Sequence, residues 1–212
     1  MRIRSRWLIG AAALLAAVGG ALVGELAAPS SGARAETSKP APPRHLTARR
    51  LRPRPGAAAR GKVLANGDLF PDRVFANAHV GFALANYGSA QYPARTTDGG
   101  RVWRIDGPQV HIDAADGAEG VGYVGVAGPR TFFAYGSSAV DVTTDGGRTW
   151  RETFLGELVT AVVAGTPNDL VAYVQQSVSN NRPNPAVTWQ YVSRDGGRHW
   201  RYNRDLGGGV IG

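Results

Sequence analysis

Three aspartates at matched positions carry the most regular chemistry in this chain. Asp98, Asp145 and Asp195 each begin an Asp-Gly-Gly turn with a tryptophan five residues after the aspartate, and they lie 47 and then 50 residues apart. A carboxylate at such a place could transfer a proton, hold a cation or accept hydrogen bonds from backbone N–H groups. Asp before Gly-Gly favours the last use, because the carboxylate reaches the amides just ahead and glycine supplies the positive φ of a tight turn. Asp98, Gly99, Gly100 and Trp103 are therefore expected to form one hairpin staple, with the tryptophan laid over the hairpin as a large apolar cover. Asp145, Gly146, Gly147 and Trp150 form the second, and Asp195, Gly196, Gly197 and Trp200 the third. The residue before each tryptophan is Val102, Thr149 or His199. Loss of the threonine hydroxyl should weaken the first and third turns slightly.

The remaining ionisable residues do not assemble a catalytic set at the level of sequence. Glycoside hydrolysis needs two carboxylates facing one bond across about 5–10 Å, yet only Glu119, Glu152 and Glu157 supply glutamate after residue 62. Asp113, Asp116 and Glu119 form an acidic cluster in the loop HIDAADGAEG. These three are the candidate metal ligands, through oxygen coordination of Ca²⁺, although their spacing does not fit an EF-hand loop. His79 and His111 stand alone, without a second histidine or a cysteine at ligand spacing. The chain has no cysteine, which excludes disulfides, thiolate zinc sites and thiol catalysis. It has neither a glycine-rich phosphate loop nor a G-x-S-x-G elbow. The expectation is a chain without catalytic residues, cofactor or metal.

The elements that carry the three motifs repeat with them. Val74-Phe75-Ala76, a turn at Asn77-Ala78 and His79 to Ala85 align with Val124 to Ala127, a turn at Gly128-Pro129 and Thr131 to Tyr135. Both align with Ala161 to Ala164, a turn at Thr166-Pro167-Asn168 and Leu170 to Val174. A third strand precedes each motif, for example Ala139 to Thr144, and a fourth follows its tryptophan. Each unit is thus four short antiparallel strands in about 45 residues, the content of one propeller blade. No helical periodicity is visible after residue 35. The strands alternate poorly and are rich in Ala, Gly and Val, as suits sheets covered on both faces.

The phrase [ST]-x-D-G-G-x-x-W resembles the Asp-box, or BNR repeat, of sialidase-like β-propellers. With Asp-Gly-Gly and a following Trp-Arg, it looks closest to the photosystem II assembly-factor type of propeller and its non-photosynthetic relatives. The resemblance rests on the motifs and spans about residues 69 to 206. It implies an all-β fold of four-stranded blades, three of them visible, with the motif on a hairpin away from any active-site mouth. A sialidase would need an arginine cluster, a tyrosine backed by glutamate and an aspartate acid/base. Arg104-Ile105-Asp106-Gly107-Pro108 has neither the position nor the pattern of that family's Arg-Ile-Pro phrase. The function implied is a non-catalytic module that binds a protein or a cell-surface glycan, or assists assembly, at the cell envelope. The alternative is a sialidase-like or xyloglucanase-like glycoside hydrolase, shortened or active only as an oligomer.

Charge divides the chain sharply. The formal charge is +8, but residues 1–62 carry a net of +10 and residues 63–212 a net of −2. The repeats are therefore nearly neutral, without the basic helix or aromatic-interleaved stripe that nucleic-acid binding requires, and no nucleic-acid partner is expected. Arg2, Arg4 and Arg6, the uncharged run from Leu8 to Gly24 and Ala33-Arg34-Ala35 make residues 1–35 a secretory signal peptide or a retained N-terminal anchor. Either places the protein outside the cytoplasm, secreted or at the envelope. Residues 36–62 are rich in Pro, Ala and Arg and are expected to be a disordered tether, one that could lie on an anionic envelope surface. Residues 63–212 are the repeat domain.

Two features bear on partners. The stretch from the second strand to the motif aspartate is longest in the third unit, where the extra residues SVSNNRPNPA include Asn180, Asn181, Arg182 and Asn184. This polar loop is the candidate partner-binding loop. Three units are also fewer than the 4–8 blades of closed propellers. The open ends are expected to be completed by a homodimer forming a six-bladed ring, by another protein, or by sequence belonging to a longer relative. Asp205 to Gly212 reads as the opening of a fourth unit.

Overall fold

Each Asp-Gly-Gly turn reverses the chain between the third and fourth strands of a sheet, and three such sheets follow one another along the sequence. The structure is a computed structural model that describes residues 41–110, 112, 122–176 and 187–207. Fourteen strands run in chain order: β1 (His45–Thr47), β2 (Arg49–Arg50), β3 (Leu69–Phe75), β4 (Gly81–Tyr87), β5 (Ala90–Thr96), β6 (Arg104–Ile105), β7 (Tyr123–Gly128), β8 (Thr131–Gly136), β9 (Ala139–Thr143), β10 (Arg151–Phe154), β11 (Leu158–Ala164), β12 (Leu170–Gln175), β13 (Thr188–Ser193) and β14 (His199–Asp205). A 3-10 turn at Asn66–Asp68 is the only helical element among the described residues. The protein is all-β, built from antiparallel sheets, none of which closes on itself.

The first sheet is β3-β4-β5-β6, the second is β2-β10-β9-β8-β7 and the third is β1-β14-β13-β12-β11. The four strands expected in each unit are present, in simple meander order. The sheets pack face to face, and the side chains between them explain the poor alternation of the strands. Phe82 and Leu84 of the first sheet meet Phe132, Ala134 and Trp150 of the second. Phe133, Val140 and Val142 on the opposite face of the second sheet meet Leu170, Ala172, Tyr191 and Trp200 of the third. Central strands such as β4 and β9 are therefore buried on both faces, β4 reading as an apolar run from Gly81 to Ala85 and β9 carrying Asp141 inside.

The tether expected at residues 36–62 is corrected from His45 onward. β1 pairs antiparallel with β14, and β2 pairs antiparallel with β10. Ala48 N–H donates to the Arg198 carbonyl at 2.8 Å, and Leu51 N–H donates to the Trp150 carbonyl at 2.9 Å. Further along, Val63 bridges Arg104, and Leu64 N–H donates to the Trp103 carbonyl at 3.0 Å. One segment thus straps the outer edges of the third, second and first sheets in turn. It orders because it takes up edge-strand donors and acceptors that would otherwise face solvent, and because single apolar residues anchor it. Leu46 packs on the core between the second and third sheets, Leu51 on that between the first and second, and Leu64 in the outer core of the first. The Pro and Arg content hid these widely spaced anchors. Asp205 likewise ends β14, and Leu206 N–H donates to the Thr188 carbonyl, so both continue the third sheet.

Residues 1–40, which include the expected signal or anchor, lie outside the described residues. No helix among the described residues is long and apolar enough to cross a membrane.

The strap is a structural element, so removing its anchors should cost stability. Replacing Leu46 and Leu51 together by alanine is expected to lower the unfolding free energy by about 2–4 kcal/mol in urea titration. A loose tether would give less than about 0.5 kcal/mol.

Candidate functional site

The three aspartates occupy the same geometry. Asp98 Oδ1 accepts the amides of Arg101 and Val102, each at 3.0 Å, and the Thr96 hydroxyl at 2.7 Å. Asp145 Oδ1 accepts the Thr149 amide at 2.9 Å and the Thr143 hydroxyl at 2.9 Å. Asp195 Oδ1 accepts the amides of Arg198 at 3.1 Å and His199 at 2.9 Å, with the Ser193 hydroxyl at 3.0 Å. The same hydroxyl, Thr96, Thr143 or Ser193, accepts the second glycine's amide at 2.9–3.0 Å. The first glycine's N–H then ties the turn to the opening hairpin of its own sheet, at the carbonyls of His79, Arg130 and Asn168.

One expectation about these turns is corrected. Thr149 Oγ1 donates to Asp145 Oδ2 at 2.6 Å, and in the third turn His199 Nδ1 takes that place, 2.6 Å from Asp195 Oδ2. The imidazole nitrogen does the work of the missing hydroxyl, so only Val102 leaves the second carboxylate oxygen without that partner.

The second and third motifs also face the sheet before them. Gly147 lies against the Asp106 carboxylate at the end of the first sheet, closely enough that any Cβ would collide, and its φ of +88° disfavours other residues independently. Arg95 donates to the Gly146 carbonyl at 3.0 Å, and Trp150 Nε1 donates to the Asp106 carbonyl at 3.4 Å. Trp150 stacks on Phe82 with ring centroids 5.3 Å apart. The third motif docks on the second sheet through a different residue, because Gly197 rests on Val142, which stands at the position of Arg95. Trp103 has no preceding sheet among the described residues. Ala57, Ala58 and Leu64 of the strap complete its core cluster, and Arg73 lies over its ring. Trp103, Trp150 and Trp200 are all buried.

Strand register brings together a carboxylate pair invisible in the sequence. Asp141 of β9 stands directly opposite Glu152 of β10, and Arg49 of the strap donates to Glu152 Oε1 at 2.7 Å. Asp141 is fully buried and neither of its oxygens has a hydrogen-bond partner. Both carboxyls are enclosed between the first and second sheets, and a sugar bond cannot reach between them. Burial, and then the neighbouring Glu152, pushes the Asp141 carboxyl well above its ordinary range, against the pull of Arg49.

The strap builds two joined concavities. One, of about 370 Å³, is walled by Arg50, Arg52, Arg60 and Arg148 with Pro53 and Pro108. The other, of about 270 Å³, shares Arg60 and adds Arg95, Arg104 and Asp98. Arg60 is paired with Asp106 at 2.6 Å, whereas Arg50, Arg52 and Arg148 have no ion-pair partner among the described residues. No sequence signal predicted this group, since its members come from two segments about 90 residues apart that only strand pairing unites.

The candidate partner loop, Asn180, Asn181, Arg182 and Asn184, lies outside the described residues, as do the candidate metal ligands Asp113, Asp116 and Glu119. No group of three or more potential metal ligands occurs among the described residues. No protein family, curated protein or solved structure matches the chain.

Removing the second turn's carboxylate, with Asp145→Ala, is expected to cost about 1–3 kcal/mol in urea unfolding, since it strands the half-buried amide and hydroxyl donors of Thr149 and the Thr143 hydroxyl. The pH dependence separates two kinds of acid. Hydrogen bonds from the Val102 amide and Thr96 lower Asp98, while at Asp145 and Asp195 bonds from Thr149 and His199 outweigh burial and lower both below the ordinary 3.8. Their stabilisation is complete above that value and is lost as pH falls through the lowered values. Asp141 acts oppositely: its folded form holds the proton more tightly, so stability declines as pH rises from 3.8 through its raised value. Asp141→Asn should abolish that decline and leave the protein more stable than the parent at pH 7, as a pH series of urea titrations would read directly.

Proposed function

We propose that this chain is a non-catalytic β-propeller-type binding module that works outside the cytoplasm. The observation that carries the reading is where the acids go. The three motif carboxylates are taken up by turn amides, and the opposed pair Asp141 and Glu152 is sealed between sheets under Arg49. What remains open to a partner is edge, rim and end face. Three sheets stacked face to face, each with a four-strand meander and the second and third docking their turns on the one before, are the arrangement that successive propeller blades adopt. The leader in residues 1–35 supports export, and the absence of cysteine is compatible with it because packing alone holds these sheets.

The two ends of the stack are unequal, and this bears on how a ring would be completed. The outer face of the first sheet is covered by the strap and Leu64. The far side of the third sheet leaves Val163 54% and Leu158 47% exposed. A protein partner or a second copy of the chain docks most readily there. Light scattering of the full chain over a concentration series separates these: a dimer supports ring completion between copies, and a monomer at all concentrations removes it. The non-catalytic reading itself is tested with a fluorogenic sialoside and a fluorogenic xyloglucan oligosaccharide. The expected result is no turnover above the uncatalysed rate, and turnover of either that survives purification overturns the reading.

A further inference from the structure

We infer that the arginine-walled cavity beneath the strap is a binding site for the carboxylate of an acidic sugar unit within a polyanionic glycan. This deepens the binding-module reading and rests on it. Four guanidinium-bearing residues, Arg50, Arg52, Arg60 and Arg148, surround about 370 Å³, and no acidic side chain lines the cavity. Only Arg60 is engaged, with Asp106, which fixes its position at the junction with the second concavity. The other three side chains are exposed and without an ion-pair partner among the described residues. Like charges gathered without a counter-charge repel one another, and an entering anion relieves that repulsion while accepting bidentate guanidinium hydrogen bonds.

The shape narrows the ligand class. The volume falls at the small end of the range for ligand pockets, about 300–1,000 Å³, and suits one charged ring rather than an extended chain. Leu51, Pro53 and Pro108 give it apolar walls on which the C–H face of a sugar can rest. The cations border a concavity between the strap and the second turn, so a protruding unit of a polymer reaches them more completely than the plane of a lipid surface does. Around the cavity the rim stays basic. From Pro40 to Gly67 the chain has no acid, and an arginine follows each motif tryptophan, at Arg104, Arg151 and Arg201. Successive units of the same polymer can therefore be met along the outer edges of all three sheets.

The test is calorimetric titration of the full chain with trigalacturonate, an oligomer of a carboxylated sugar, at low and physiological salt. Binding is expected, weakened by salt as exposed charges require, and absent for the fully methyl-esterified trisaccharide. Arg52→Gln with Arg148→Gln should weaken it at least 10-fold, while Arg73→Gln with Arg130→Gln, an equal loss of charge outside the cavity, should change it by less than about 3-fold. Equal loss in both double variants would show that net charge alone attracts the ligand and would overturn the site. So would the absence of trigalacturonate binding, including the case where the chain binds phosphatidylglycerol vesicles or inorganic phosphate instead. Any of these results leaves the non-catalytic reading standing, because that reading falls only on glycoside turnover.

Discussion

The motif carboxylate satisfies backbone donors that a tight reversal would otherwise leave unpaired, and the rest of the molecule is built around that satisfaction. With Oδ1 taking amides and the preceding hydroxyl taking the second glycine, the turn becomes rigid enough to present a flat glycine surface. That surface is what the preceding sheet packs against. Gly147 meets Asp106 and Gly197 meets Val142, each on the sheet before, so the staple of one sheet is also its contact with the last. Unpaired buried amides would cost about 1–3 kcal/mol each, which sets the turn apart from an ordinary surface loop.

Stacked sheets leave two liabilities, edges and ends, and the N-terminal segment answers part of both. It runs along the outer strands of the third and second sheets, turns at Pro55-Gly56, and closes over the outer face of the first sheet. Edge pairing and end capping come from one stretch of about 20 residues rich in arginine. The same placement concentrates positive charge on the rim while the sheets stay near neutral. Fold protection and the proposed capture of an anionic ligand would therefore be properties of one element.

Much of the fold was legible because its signals are local. The Asp-Gly-Gly turns, the strands on either side and the number of units all follow from patterns within about 10 residues, where turn chemistry dominates. The strap was illegible for the opposite reason. Its apolar anchors, Leu46, Leu51 and Leu64, are single residues among prolines and arginines, and each acquires meaning only against a distant sheet. Asp141 and Glu152 face each other through hairpin register, and Arg52 and Arg148 share a cavity through pairing of β2 with β10. His199 shows a subtler limit: it departs from the Thr149 pattern, yet its Nδ1 supplies the same bond.

The three stapled sheets and the strap are expected to open as one cooperative unit, and native-state hydrogen exchange on the full chain measures this most directly. The amides of Ala48, Leu51 and Leu64 in the strap should exchange with the same opening free energy as Gly100, Gly147 and Gly197 in the turns, at the level of global unfolding. Strap amides that exchange near the rate of an unstructured peptide, while the turn amides stay protected, would contradict it.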